Sequence, residues 1–230
     1  MIGIIGAMEE EVAELKASME VETVVEKAKM TFVKGKLCGK EVVVVRSGIG
    51  KVNAGICAQI LVETFQVDAL INTGIAGSLD AQIDIGDIVV STDAVEHDVD
   101  ASSMGNPVGQ IPRMDTFAFP ANEKLIEAAC AANVEVNADI RTFKGRVVTG
   151  DQFISDDRKK QYLIETFGGK CAEMEGAAIA HAAYLNDVPY VIIRAISDKA
   201  DQGAVEDYPT FEKHAAECSV RLLKSMLGRL

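Results

Sequence analysis

Five short runs of aliphatic and β-branched residues, each stopping in a glycine-rich or acid-bearing turn, constrain the fold of this chain more than any other feature. They are Met1–Ala7 ahead of Met8-Glu9-Glu10-Glu11, Val42–Arg46 ahead of Ser47–Gly50, Ala69–Thr73 ahead of Gly74–Gly77, Ile140–Val148 ahead of Thr149–Asp151, and Tyr190–Ile196 ahead of Ser197-Asp198. Runs of this length and type read as buried strands. Between them lie stretches with helical character: Met8 to Met19, Lys51 to Phe65, Asn122 to Asn133, Ser155 to Thr166 and Ala172 to Tyr184. A chain that alternates the two is expected to be an α/β protein. If the strands are mostly parallel, their turns line one sheet edge and form a single ligand cleft. No repeat, low-complexity tract or linker divides the 230 residues, so one domain covering 1–230 is expected.

The last run is the most informative. An acid at the end of a strand buried on both faces is costly unless it is paired, hydrogen-bonded or protonated. Asp198 is therefore the first candidate for chemistry, against the alternative that it caps the following turn. The cleft would hold several carboxylates and few cations. Paired acids suit work on a glycosidic bond, one protonating the leaving group while another activates water. Glu9, Glu10 and Glu11 also suit the first turn of a helix, where they meet the positive end of its dipole. Glu173 and Glu175 lie two apart, so on a helix they point in different directions, and at most one is expected to face the cleft.

Other chemistries find little support. His97, His181 and His214 are far apart and none has an HxxxH or CxxC partner, so no metal site is expected. His181, in an alanine-rich helix, reads as packed rather than catalytic. No GxSxG elbow, Walker loop or GxGxxG opens a helix. Ser47 has no evident base and reads as a turn residue.

Lys and Arg number 23 against 35 Asp and Glu, a formal charge of −12, which argues against nonspecific binding to nucleic acid or anionic membranes. With no Trp, 4 Tyr and 8 Phe, a broad stacking platform for single strands is not expected. No apolar stretch is long enough to span a membrane, and Glu9–Glu11 cut short the only N-terminal apolar run, so no signal peptide is read there. Five dispersed cysteines (Cys38, Cys57, Cys130, Cys171, Cys218) without CxxC spacing point to reduced thiols in the cytoplasm. Thr23 to Ser47 has hairpin character, with strands at Met30–Leu37 and Val42–Arg46. Residues 97–120 are irregular, as functional or interface loops often are. Phe211, Ala215, Cys218, Leu222, Leu223, Met226 and Leu227 space a closing amphipathic helix.

Seven stretches, IGIIGAMEEEV (2–12), SGIGKVNA (47–54), INTGIAG (71–77), GDIVVS (86–91), TGDQFIS (149–155), EMEGAAIAH (173–181) and RAISDKADQ (194–202), occur in the order and spacing of one family. The chain resembles the 5′-methylthioadenosine/S-adenosylhomocysteine nucleosidases, hydrolytic members of the nucleoside phosphorylase superfamily. The resemblance implies a three-layer α/β/α fold around a central twisted mixed sheet, a homodimer, no cofactor, and hydrolysis of an N-glycosidic bond to release adenine. It gives Asp198 the role of general acid at adenine N7, helped by Ser197, and gives Glu11 the attacking water. Glu175, with Met174 beside it, would hold the ribose hydroxyls, and the backbone at Phe153 and Ile154 would contact adenine. Met8, Ile49, Ala76, Gly77 and Phe211 would line the pocket, with Tyr208 near the 5′ end.

Departures from the family pattern bear on the substrate. Ile75 stands where relatives often carry a small hydroxyl residue. The 101–110 loop, expected to cross to the partner subunit, has Met104 and Asn106 where some relatives have aromatics; Pro112 belongs to the same partner-facing segment. The rival readings are a phosphorylase of the same fold and a nucleoside-binding protein without turnover. Phosphorolytic relatives tend to use arginines for phosphate, whereas here none precedes Arg46 and Asn72 occupies one such position. Retention of Glu11, Glu175 and Asp198 together argues against a protein that only binds.

Overall fold

The alternation of strand and helix produces one ten-stranded mixed sheet with helices on both faces. The structure is a computed structural model; it describes the backbone of residues 1–230 and every side chain except those of Glu206, Pro209 and residues 212–215. The side chains of His214 and Ala215, considered above, thus lie outside the described residues.

The first half of the chain runs β1 (Ile2–Gly6), α1 (Glu9–Ala17), β2 (Glu20–Lys27), β3 (Met30–Leu37), β4 (Lys40–Arg46), α2 (Lys51–Phe65), β5 (Ala69–Ser78) and β6 (Ile88–Glu96). A 3-10 turn at Ser102–Met104 and the two-residue β7 (Phe119–Pro120) are the only regular pieces of the 97–120 segment. Then follow α3 (Glu123–Val136), β8 (Thr142–Thr149), α4 (Asp157–Phe167), β9 (Cys171–Glu173), α5 (Gly176–Leu185), β10 (Tyr190–Asp198) and α6 (Ala204–Leu227).

The strand order is β2-β3-β4-β1-β5-β10-β6-β8-β9, and β9 returns to pair with β5, so five strands close into a ring. The four strands β4, β1, β5 and β10 are mutually parallel. A single parallel edge is therefore only part of the arrangement: β9 meets β5 antiparallel, at Gly77↔Ala172 and Ser78↔Cys171. The long β5 pairs with β10 through Gly74–Gly77, where a turn was expected, and at its far end with β9 at Gly77 and Ser78.

Two layers of helix complete the fold. The alanine-rich α5 packs against α2 over a core that includes Ala54, Leu61, Ile179, Ala183 and Ile192. Small residues on α5 let its backbone approach the sheet closely. On the opposite face, α1, α3 and α6 cover Val12, Leu15, Ile126, Leu222, Leu223 and Met226. A third, smaller cluster of Leu79, Val148, Ile154, Leu163, Phe167 and Ala200 seats α4 beside the ends of β5 and β8.

Two elements differ from the sequence reading. The strand β2 was not foreseen because it is an exposed edge, with only Val25 half-buried, and so carries no inside-outside alternation. The helix expected from Ala172 starts at Gly176, because Cys171–Glu173 is drawn into the sheet against β8 and β5.

Candidate active site

The ends of β1, β5, β9 and β10 enclose a cavity of about 340 Å³. Met8, Glu11, Ile49, Ala76, Gly77, Phe153, Met174, Glu175, Ser197, Asp198 and Tyr208 all line it, as do Ala7, Ile75, Ala172 and Glu173. Ile154 is buried and lines a small adjoining space shared with Phe153, Gly77 and Asp198. At the mouth, the rings of Phe153 and Tyr208 meet edge to face, 5.8 Å apart, and the Tyr208 hydroxyl lies 3.2 Å from Met8 Sδ.

Asp198 closes β10 and is 2% exposed. Its Oδ1 accepts from the Ala200 N–H at 2.8 Å and its Oδ2 accepts from the Ser197 hydroxyl at 2.8 Å. Burial pushes its pKa above the usual carboxylate range; these two donors pull it back, and the charges of Asp207 and Asp201 add to the rise. None of the ion pairs formed by the described residues involves Asp198. Gly77 makes room for it, since a Cβ there would lie 2.6 Å from Asp198 Oδ1.

The opposite wall holds three buried carboxylates around one buried cation. Glu11 projects from the first turn of α1 back toward β1 and β5. Its Oε2 accepts from the N–H groups of Ala7 (2.6 Å) and Met8 (3.0 Å), and its Oε1 from Ile75 N–H (3.2 Å). Glu175 caps α5 and accepts from Gly50 N–H at 2.8 Å, which ties it to the start of α2. Glu173 takes the N–H groups of Glu175 (3.1 Å) and Gly176 (2.7 Å), the Thr149 hydroxyl and the Arg194 guanidinium.

Arg194, placed mid-strand in β10, is 1% exposed. It pairs with Glu173, approaches Glu175 at 4.0 Å, and donates to Asn72 Oδ1 at 2.5 Å. Its Nη1 has no hydrogen-bond partner and, with Glu11 Oε1, flanks Gly74: a Cβ there would lie 2.7 Å from the first and 2.5 Å from the second. Burial pushes Glu11 above the usual range while Arg194 pulls it down. Burial and the neighbouring Glu173 charge push Glu175 up to about 7.

Several expectations need correction. Glu173 and Glu175 do not share a helix with divergent directions; they straddle a strand end and a helix cap, and both line the cavity. Phe211 does not line it. One turn beyond Tyr208, α6 has carried Phe211 to a separate space bounded by Ile85, Asp87, Ile140 and Ile196. Met104, 74% exposed on its 3-10 turn, and the half-buried Pro112 and Asn106 are likewise absent from the cavity of this one chain.

Ser47, His97 and His181 stand apart from the cavity. Ser47 serves as a turn residue, its hydroxyl donating to Gly48 O at 2.9 Å. His181 stacks on Phe119 at 4.8 Å and contacts Glu96, and His97 is buried against Gly150. The sequence reading missed Glu173 as a site residue. Its signal was the proximity of a second acid to Glu175 and of an otherwise unpaired Arg in an apolar strand.

Comparison with known proteins shows the family. Residues 1–228 match the family model described as the Phosphorylase superfamily. The chain is 42% identical over 230 residues to the 5′-methylthioadenosine/S-adenosylhomocysteine nucleosidase of Shewanella pealeana, across 100% of this chain and 99% of that one. The crystal structure of such a nucleosidase from Colwellia psychrerythraea, in complex with adenine, matches with a TM-score of 0.95 and 40% identity, over 100% of this chain and 95% of that one. A futalosine hydrolase of Helicobacter pylori matches with a TM-score of 0.94 and 33% identity, over 100% and 97%. The chain belongs to the phosphorylase superfamily and, within it, to the 5′-methylthioadenosine/S-adenosylhomocysteine nucleosidase family.

Proposed function

We propose that this chain hydrolyses the N-glycosidic bond of 5′-methylthioadenosine and S-adenosylhomocysteine, and of 5′-deoxyadenosine where offered, releasing adenine and the corresponding ribose. The observation that carries this reading is the division of one pocket into two ends, a buried acid that forms no ion pair with the described residues and a carboxylate cluster built on a buried arginine. As the bond breaks, positive charge grows on the ribose and negative charge on the purine. Carboxylates stabilise the first and a protonated acid quenches the second.

Asp198 is the general acid in this scheme. Because Oδ1 is committed to the Ala200 N–H, the transferable proton resides on Oδ2. The Ser197 hydroxyl can turn toward Ala76 O, 3.4 Å away, while Oδ2 is protonated, and then donate to Oδ2 once the proton has gone to the base. Glu11 Oε1 and Arg194 Nη1 offer an acceptor and a donor on either side of Gly74, a fitting seat for the attacking water. Glu175 reaches the ribose hydroxyls, with Met174 beneath the sugar. Phe153 and Ile154 border the adenine. Met8, Ile49 and Tyr208 surround the 5′-substituent without a cation, which favours a neutral thioether.

The phosphorolytic alternative finds no support in the pocket. Among the described residues no cation lines the cavity; the nearby Arg194 is paired with Glu173, and Asn72 is occupied in orienting it. Assays of adenine release with and without added phosphate decide the matter: release independent of phosphate is expected, and an absolute phosphate requirement would overturn the reading. Release of no adenine despite ligand-raised melting would favour a binding protein.

The same reading includes a homodimer, in which the 101–112 loop of one subunit, with Met104 and Pro112, reaches the 5′ end of the other's pocket. Ile49, just before α2, and Val52 and Ile56 on α2 are exposed apolar residues beside the pocket mouth, suited to such a partner. Light scattering is expected to give twice the chain mass; a monomer at working concentration would count against a shared site. The whole of residues 1–230 acts as one nucleosidase domain in this reading. Five free thiols suit the cytoplasm, and no described helix is long and apolar enough to cross a membrane. The reaction would serve methionine salvage and disposal of S-adenosylmethionine by-products.

A further inference from the structure

The turn that presents Asp198 is held from outside the pocket. Ala200, two residues on, has φ +52° although it is not glycine, a left-handed conformation that costs an L-residue energy. Its N–H is the donor that commits Asp198 Oδ1. The peptide before it is gripped on both sides. Lys160 Nζ donates to Lys199 O at 2.5 Å and lies 3.6 Å from Asp201 Oδ2. The Lys199 side chain is anchored across the cleft floor to Ile83 O (2.6 Å) and Asp84 (2.9 Å).

Lys160 comes from α4, whose buried residues Leu163 and Phe167 follow it by one and two turns. The same α4 begins just after Phe153 and Ile154, the residues bordering the base. One helix thus links the wall that would contact adenine to the turn that would protonate it.

We propose that Lys160 is a positioning residue for proton donation: its ammonium group clamps the Lys199 carbonyl, keeps Ala200 left-handed, and so fixes which oxygen of Asp198 carries the proton. The inference rests on the nucleosidase reading above. Lys160 touches neither substrate nor reacting atoms. Without the clamp the turn relaxes, the Ala200 N–H leaves Oδ1, and water reaches the carboxyl. Asp198 is then freer to rotate, and hydration, which relieves the larger influence of burial, makes it easier to ionise despite the lost Ala200 N–H. The charged groups around it are Asp201 and Asp207 from the turn and α6, Lys199 beside it, and Glu173 across the pocket.

The test compares wild type, Lys160→Met and Lys160→Arg for adenine release from 5′-methylthioadenosine across pH, with melting temperatures measured alongside. Wild type must release adenine; if it does not, the nucleosidase reading fails and the clamp is not at issue. For Lys160→Met, kcat is expected to fall about tenfold with KM within about twofold, and Lys160→Arg to recover most of the loss.

The alkaline limb of the profile, where a proton-donating Asp198 ionises, is expected to move to lower pH. Its direction is decisive, because loss of a nearby positive charge alone would raise the pKa of Asp198 and move the limb up. An unchanged kcat, or a limb that stays put or moves up, overturns the proposal. If Lys160→Met melts near the assay temperature, Lys160→Gln is read by the same criteria.

Discussion

The two ends of the pocket hold acids of the same chemical type in opposite surroundings. Glu11, Glu173 and Glu175 gather around Arg194 and take backbone N–H groups from β1, α1, β5, α2 and α5. Asp198 has a hydroxyl and one N–H. Burial penalises the charged form at both ends. Only at the first end do the acids pair with a cation, and there burial and the Glu173 charge outweigh Arg194 and push Glu175 up to about 7.

The contrast teaches how one fold runs acid and electrostatic chemistry on a single substrate. A buried carboxyl that forms no ion pair holds a proton to give. Carboxylates built around a cation are ready to be negative as soon as a cationic sugar develops between them and the base. The β5 strand separates the two ends, with Gly74 facing the cluster and Gly77 facing Asp198.

The largest expected effect comes from removing the cation. Arg194→Met leaves three buried acids uncompensated and should cost about 3–5 kcal/mol of stability by denaturant unfolding. A near-neutral change would mean that the cluster does not depend on Arg194. Next, Asp198→Asn should lower kcat for adenine release by at least about a hundredfold; near-normal turnover would remove Asp198 from the role of acid.

Smaller effects follow from the glycines that divide the ends. Gly77→Ala and Gly74→Ala should each lower kcat by about tenfold or more. Only Gly77→Ala, which crowds Asp198, should also displace the alkaline limb of the profile. The same displacement in both variants would erase the distinction between the ends.

The smallest effect concerns stability and pH. A carboxyl whose folded pKa is raised binds its proton more tightly in the folded state. Its contribution is complete below the ordinary carboxylate pKa and is lost as pH rises from there to about 7. Glu175→Gln keeps an acceptor for Gly50 N–H and has no charge to bury. It should therefore gain about 1 kcal/mol over wild type at pH 8 and little at pH 5, while losing activity. A gain that is equal at both pH values would show that burial of the charge is not its source.

Much of this was legible in the chain. Alternating apolar runs specify the strands and helices because a buried strand needs β-branched and aliphatic residues on both faces, and α2 was readable to its ends from Lys51 to Phe65. Asp198 was conspicuous because an acid at the end of such a run has no cheap place in a sheet. The motif order then pointed to the family and to Glu11 and Glu175.

Other features required three dimensions. Gly74–Gly77 looked like a turn because glycines usually mark one. They belong to a buried strand paired with β10, and Gly74 and Gly77 are glycines there because Glu11, Arg194 and Asp198 occupy the space a side chain would fill. Glu173 looked like a helical neighbour of Glu175, yet pairing of Cys171–Glu173 with β8 and β5 turned both acids inward. Phe211 shares its helix with Tyr208 but is carried past the pocket by the course of α6.

The residues thus specified, through local pattern and burial, that this would be an α/β protein with acids at its strand ends. Closure of the β5-β10-β6-β8-β9 ring decided which acids share Arg194 and which one stands apart. That partition depends on distances between elements far apart in the chain, and charge interactions follow distance through space, not separation along the sequence.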